Sequence, residues 1–300
     1  MKTDLFFFKA ALLGIGIAPL AIPVHAADQF FFNTAASVTA GSYKDSLQRN
    51  KFSEYGMKVS GDYLDQGGVT AGYSSTKITL KSGAPATEQN NFMLSGRLHI
   101  RPDALPGRLT LRLDGYRVNN NDGTRNTGPV TVFAPQVGWL SKDGTVYADL
   151  GYADSRYQNQ LTVHQYTPTL GFGFNAGADW IQFRSYQIRG LNPARAVGKS
   201  STSGLDFKWT HSFAPGSALM PSFLSLGIAA GERIYAVDMD IQSVANLADL
   251  EKGAVNFGIG WKITKSTKLF LLAGQSRFRN VTLANDYKLN LGHAGLSVDW

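Results

Sequence analysis

The chain has 300 residues, no cysteine and a net charge of +7 from 29 basic and 22 acidic residues. Without cysteine there is no disulfide framework, thiol chemistry or Cys-based metal site. The basic residues are scattered singly, a pattern that fits contact with anionic lipid headgroups or lipopolysaccharide phosphates and argues against nucleic acid.

Residues 1–26 read as an export leader. Lys2 and Lys9 flank the start, an apolar run extends from Phe6 to Ile22, and Val24-His25-Ala26 gives the small-x-small pattern of a cleavage site. Gly14, Gly16, Pro19 and Pro23 make an anchoring helix a poor alternative. The expected mature chain is one domain, 27–300, with a charge of +6 once Lys2, Lys9 and Asp4 are removed. Beyond residue 26 no stretch approaches the ~20 apolar residues of a membrane helix, so only a barrel could carry this chain across a bilayer.

Period-two alternation then recurs along the chain. Phe92, Leu94, Leu98 and Ile100 oppose Arg97, His99 and Arg101; Leu109, Leu111 and Leu113 oppose Arg112 and Asp114; Leu205, Phe207 and Trp209 oppose Asp206 and Lys208. From Val255 to Ile263 every odd residue is large and apolar and every even one small or polar. Turns are expected at Asp65 to Gly68, Pro102 to Gly107, Ser141 to Gly144, Asn175 to Ala178, Ala214 to Pro221 and Thr264 to Thr267. Longer polar loops are expected near 42–51, 82–90, 119–128, 154–160, 189–200, 236–252 and 279–286. These connections predict an all-β, antiparallel transmembrane β-barrel of fourteen strands, with twelve as the alternative. An even count puts both chain ends on the short-turn, periplasmic side.

Two strands read poorly: Ile181 and Phe183 imply one phase and Tyr186 and Ile188 the other, and Leu289 and Leu291 disagree with Leu296 and Val298. A bulge, or a strand running past the membrane, would explain each. Trp139, Trp180, Trp209, Trp261 and Trp300 all fall near turns or the C-terminus, as an aromatic girdle at one headgroup level would place them. The aromatic end at Trp300 suggests the barrel assembly machinery as a partner of the last strand.

The run Tyr166 to Phe174, followed by Trp180, Arg184 and Tyr186, then Phe207-Lys208-Trp209, Gly227 to Arg233 and the aromatic end, resembles the YaiO-type outer-membrane barrel family over roughly residues 160–300. The resemblance implies an outer-membrane barrel and carries no activity or site.

Candidate chemistry is sparse. His99, His164, His211 and His293 lack the surroundings of a lipid hydrolase, and Asp238, Asp240, Asp249 and Glu251 match no calcium-loop spacing. The latter are expected in a solvated loop with a short helix from Val244 to Leu250. No catalytic residue, metal or cofactor is expected.

With the apolar face on lipid, Glu54, Lys58 and Asp62 point inward. So do Arg97, His99, Arg101, Arg112, Asp114, Asp149, Asp206, Lys208 and Lys262, the candidate pore-lining residues. Such charges need either water or an ion-pair lattice. A turn at Pro102 to Gly107 puts Arg97 opposite Arg112 and position 99 opposite 110, with Asp114 and Asp149 as candidate partners. The expected function is a passive or gated channel for small polar solutes or saccharides, in the outer membrane of a Gram-negative cell. The alternative is a non-conducting envelope component serving exopolysaccharide export or surface attachment, and a lipid-modifying enzyme comes third.

Overall fold

A computed structural model describes residues 30–64, 66–104, 106–121, 127–214, 216 and 220–300. The leader, the expected cleavage point and Asp65 lie outside the described residues. The strands are β1 (Phe30–Lys44), β2 (Arg49–Tyr63), β3 (Gly67–Leu80), β4 (Thr87–Ile100), β5 (Arg108–Asn120), β6 (Val130–Leu140), β7 (Val146–Tyr157) and β8 (Thr162–Phe174). They continue with β9 (Asp179–Gly190), β10 (Ser201–Ser212), β11 (Phe223–Arg233), β12 (Val237–Asp238), β13 (Ser243–Val244), β14 (Asp249–Lys262), β15 (Thr267–Asn280) and β16 (Asn285–Asp299).

Fourteen of these close a barrel of antiparallel neighbours, and β12 with β13 forms a separate hairpin. Closure is made by β1 against β16, from Asn33 opposite Asp299 to Lys44 opposite Lys288. The outer face is apolar and open: Val38, Phe92, Leu94, Val137, Leu150 and Phe257 are exposed. A continuous band of this kind requires lipid around it.

Several connections at the loop end are shorter than the sequence suggests. Those after β1, β7 and β15 span only 45–48, 158–161 and 281–284, because the polar residues read as loop remain paired in the ladders beyond the apolar band. The connection 213–222 at the turn end is correspondingly long. At the tight turn after β6, Asp143 accepts from the Ser141 hydroxyl and from Thr145, which holds its carboxyl down at about 2.

Neither phase slip is a bulge. β9 pairs with β10 one to one from Asp179 to Arg189, and β16 pairs continuously with β15. Ile181 and Phe183 face lipid, whereas Tyr186 and Ile188 face a buried core inside the barrel; Leu289 does the same in a second cluster. Polarity changes sides because the loop end of the lumen is packed dry. The true irregularities lie elsewhere, between Arg49 and Lys51, Ala230 and Arg233, and Glu251 and Gly253.

By strand alternation Trp139, Trp209, Trp261 and Trp300 point outward, as a girdle requires. Trp180 is a correction. It lies on the inner phase of β9 and covers Gly171 and Gly173, where an added Cβ would meet its ring at 2.5 and 3.2 Å.

Candidate functional site

The filling of the lumen comes from residues 234–248, the longest connection, which turns inward. Val237, Met239 and Val244 are buried against Tyr116, Val118, Val132, Ala153, Val163 and Ile188 of the barrel wall. This overturns the expected solvated loop: Val244 lies in the strand β13, and no helix forms between it and Leu250. Alternate apolar residues bury one side of the loop while its backbone polar groups find side-chain partners, which a buried segment requires.

Those partners come from all round the barrel. Gln165 of β8 clamps Val237 twice, donating Nε2 to its carbonyl at 2.6 Å and accepting its N–H at 2.9 Å. Arg112 of β5 donates to the Met239 carbonyl at 2.7 Å, and Asn246 donates to the carbonyl of Thr127. Met239 reaches Gly151 of β7, where an added Cβ would stand 2.4 Å from its methyl group. Asp240 accepts from Arg184 and Gln182 of β9 at 2.8 and 3.2 Å, while Lys58 of β2 donates to the carbonyl of Ile241 at 3.1 Å. Because β2 and β9 stand on opposite sides of the ring, two consecutive loop residues bridge the lumen.

The candidate pore-lining residues divide into two groups. The first is an ion-pair lattice. Arg97 stands opposite Arg112 and His99 opposite Thr110, the register expected from the turn. Their partners match expectation only in part. Arg97 binds Asp62, two strands away, whereas Asp114 binds Arg112 at 2.7 and 2.8 Å and accepts the Tyr116 hydroxyl at 2.9 Å. Asp149 is buried with its ion contact at Arg184, 4.0 Å away, and Asp206 accepts from Arg233 at 2.8 Å. His99 bonds Thr110 through Nδ1 at 2.9 Å.

The second group faces water. Lys208 and Lys262 are exposed near the turn ends of β10 and β14, on the inner phase. Arg101 is exposed just beyond β4. The lumen is thus dry and apolar at the loop end, ion-paired at mid-height, and carries exposed basic residues at the turn end.

Three arginines absent from the expected set carry much of the lattice. Arg184 bonds Thr169 and Asp240 and lies 3.7 Å from Asp238. Arg233 joins Asp206 to Glu251 and stacks 4.7 Å over Tyr186. Arg49 binds Asp249 and the Tyr287 hydroxyl. The four acidic residues around the long loop are therefore held by three different arginines.

Outside the lumen, His211 Nδ1 lies 2.9 Å from Asp179 on the lipid-facing phase, beside Trp209 Nε1 at 3.0 Å. No hydroxyl is hydrogen-bonded to this histidine among the described residues.

No protein-family model matches the chain, so the resemblance to the YaiO-type family rests on the quoted motifs alone. No curated protein matches it either. Among solved structures it is similar to TodX, the Pseudomonas putida toluene transporter, at 10% identity and TM-score 0.53 over 91% of this chain and 89% of that one. OccK7 (OpdD) of Pseudomonas aeruginosa aligns at TM-score 0.45 and 10% identity over 91% and 99% of the two chains. Omp33 of Acinetobacter baumannii aligns at 0.44 and 7% over 90% and 99%. The likeness to TodX is one of fold: a closed barrel of outer-membrane type.

Proposed function

We propose that this chain is a gated outer-membrane channel for small polar solutes, saccharides among them, with residues 234–248 as the gate. The observation that carries the reading is the bridge made by Asp240 and Ile241 between Arg184 and Lys58 on opposite walls. Beside the apolar packing of Val237, Met239 and Val244, polar contacts hold Asp240 and Ile241 at mid-lumen, and water or a polar solute can take their place when the loop leaves. Lys208 and Lys262 favour polyhydroxylated or anionic solutes at the turn-side entrance. A hydrocarbon path like the one named for TodX would need an apolar lining, and the charged mid-lumen does not offer it.

Single-channel recording in planar bilayers tests this. The intact protein should be closed for most of the time, and a variant lacking residues 236–246 should conduct continuously. Silence from both proteins over a wide voltage range would overturn the channel and favour a sealed envelope component, a reading to which the buried Gln165 clamp on Val237 also lends support.

A further inference from the structure

We propose that the outer wall formed by β15, β16, β1 and β2 binds the phosphate of a lipid in the outer leaflet, with an acyl chain lying in a furrow beneath it. This site is independent of the lumen and rests only on the loop end being the outer-leaflet side.

The register builds the surface row by row. Nearest the loop end, Lys288 stands directly opposite both Lys44 and Arg277. Their neighbours Tyr43, Tyr287 and Phe278 pack inside, so strand alternation turns all three cations outward. One row down, Asn290 stands between Ser42 and Gln275, with the Gln275 amide donating to Asn290 Oδ1 at 2.6 Å and Lys51 beside Ser42. The next row is Ala40, Gly292 and Ala273, and the row beneath it Val38, Ala294 and Leu271.

Like charges directly opposed across strands repel and need relief from outside. Lys44, Lys51, Arg277 and Lys288 make no ion pair among the described residues, and the nearby Asp286 is engaged by Lys252 and Arg279 at 3.7 and 3.6 Å. Four cations therefore share this stretch of wall with no ion-pair partner among the described residues. A phosphate supplies several strong acceptors to such a group. Independently, a Cβ built on Gly292 meets nothing within 4 Å, so the surface is hollow between Ala40 and Ala273, beside the exposed ring of Phe257. Four residues of strand, about 13 Å, separate this hollow from the cations. Chain below, amide row between and cations above match the depth order of acyl chain, linkage and phosphate in a lipid.

The experiment reconstitutes the full protein in phosphatidylcholine vesicles, alone, doped with lipid A, or supplied with inorganic phosphate, and measures retained lipid by native mass spectrometry. Lipid A should be retained in preference to phosphatidylcholine. The triple variant Lys44→Gln, Arg277→Gln, Lys288→Gln should lower its retention at least about tenfold. Gly292→Leu, which fills the hollow and keeps every cation, should also lower it. Equal retention by the parent and the triple variant would overturn the site, and so would inorganic phosphate competing as well as lipid A, which would make it a site for soluble anions. Heat-modifiable gel migration checks folding. Should the triple variant not fold, Lys288→Gln alone and Gly292→Leu decide, because each leaves the neighbouring ladder intact.

Discussion

Arg184 is the residue on which the interior turns. Its side chain is nearly inaccessible, and it is shared among Asp149, Asp238 and Asp240, two of them on the loop. Removing that cation leaves the fully buried Asp149 carboxylate uncompensated, at a cost of about 3–5 kcal/mol, whereas Asp238 and Asp240, at 26% and 41% exposed, are screened by water. The Arg97 and Asp62 side chains are still 28% and 30% exposed, so water screens their loss to about 1 kcal/mol or less. Arg184→Leu should therefore lower the temperature at which the folded gel band converts to the unfolded one well below that of Arg97→Leu; equal shifts would contradict the lattice described. Arg184 was within reach of the sequence. The phase set by Ile181 and Phe183 already turns it inward, but Tyr186 and Ile188 obscured that phase. By contrast the Arg97 and Arg112 opposition could be counted from the turn, whereas the choice of Asp62 over Asp114 depends on side-chain reach across strands, which pattern does not encode.

At the level of elements, turn residues and alternation were enough to locate all fourteen barrel strands and their thirteen connections. Alternation records which neighbour a residue avoids, water or lipid, and not what fills the other side. The inward path of residues 234–248 was therefore missed, although Val237, Met239, Val244 and Leu247 within a polar stretch signalled burial. Gly151 is the wall position that this path requires, since Met239 occupies the space of its missing side chain. Gly151→Leu should push Met239 out and raise open probability in bilayers, while Gly96→Leu, where an added Cβ meets nothing, should not. A Gly151 variant with unchanged gating would separate this contact from the gate.

The same loop should respond to acid. Burial pushes the Asp240 carboxyl up, but Arg184 and Gln182 draw it further down, and it ends below the usual aspartate range. A carboxylate depressed in the docked state stabilises docking fully above its ordinary value and loses that contribution as pH falls through the docked one. The sensitive window is therefore below about pH 4. Open probability should stay level from about pH 8 to about pH 5 and rise only on further acidification. Asp240→Asn should give the acid level of opening throughout. A transition near neutrality would assign the effect to a histidine instead.

For the whole molecule, the decisive relation is between walls that no local pattern connects. β2 and β9 are separated by half the ring, and they are coupled only because the loop between β11 and β14 lies across the lumen. If gating is withdrawal of that loop, tying it to the far wall must hold the channel shut. The chain has no cysteine, so one engineered pair can be modified without competing thiols. With Lys58→Cys and Ile241→Cys joined by a short bis-methanethiosulfonate cross-linker, which forms a reducible disulfide to each cysteine and releases methanesulfinate, conductance should remain at the closed level at every voltage. Reduction of the linker should restore opening to that of the unlinked double variant. The comparison is internal to one protein, so a loss of folding or insertion cannot imitate it. Conductance at the open level both before and after reduction would show that solute passes with the loop in place, and the gate would have to be sought among the basic residues of the turn-side entrance.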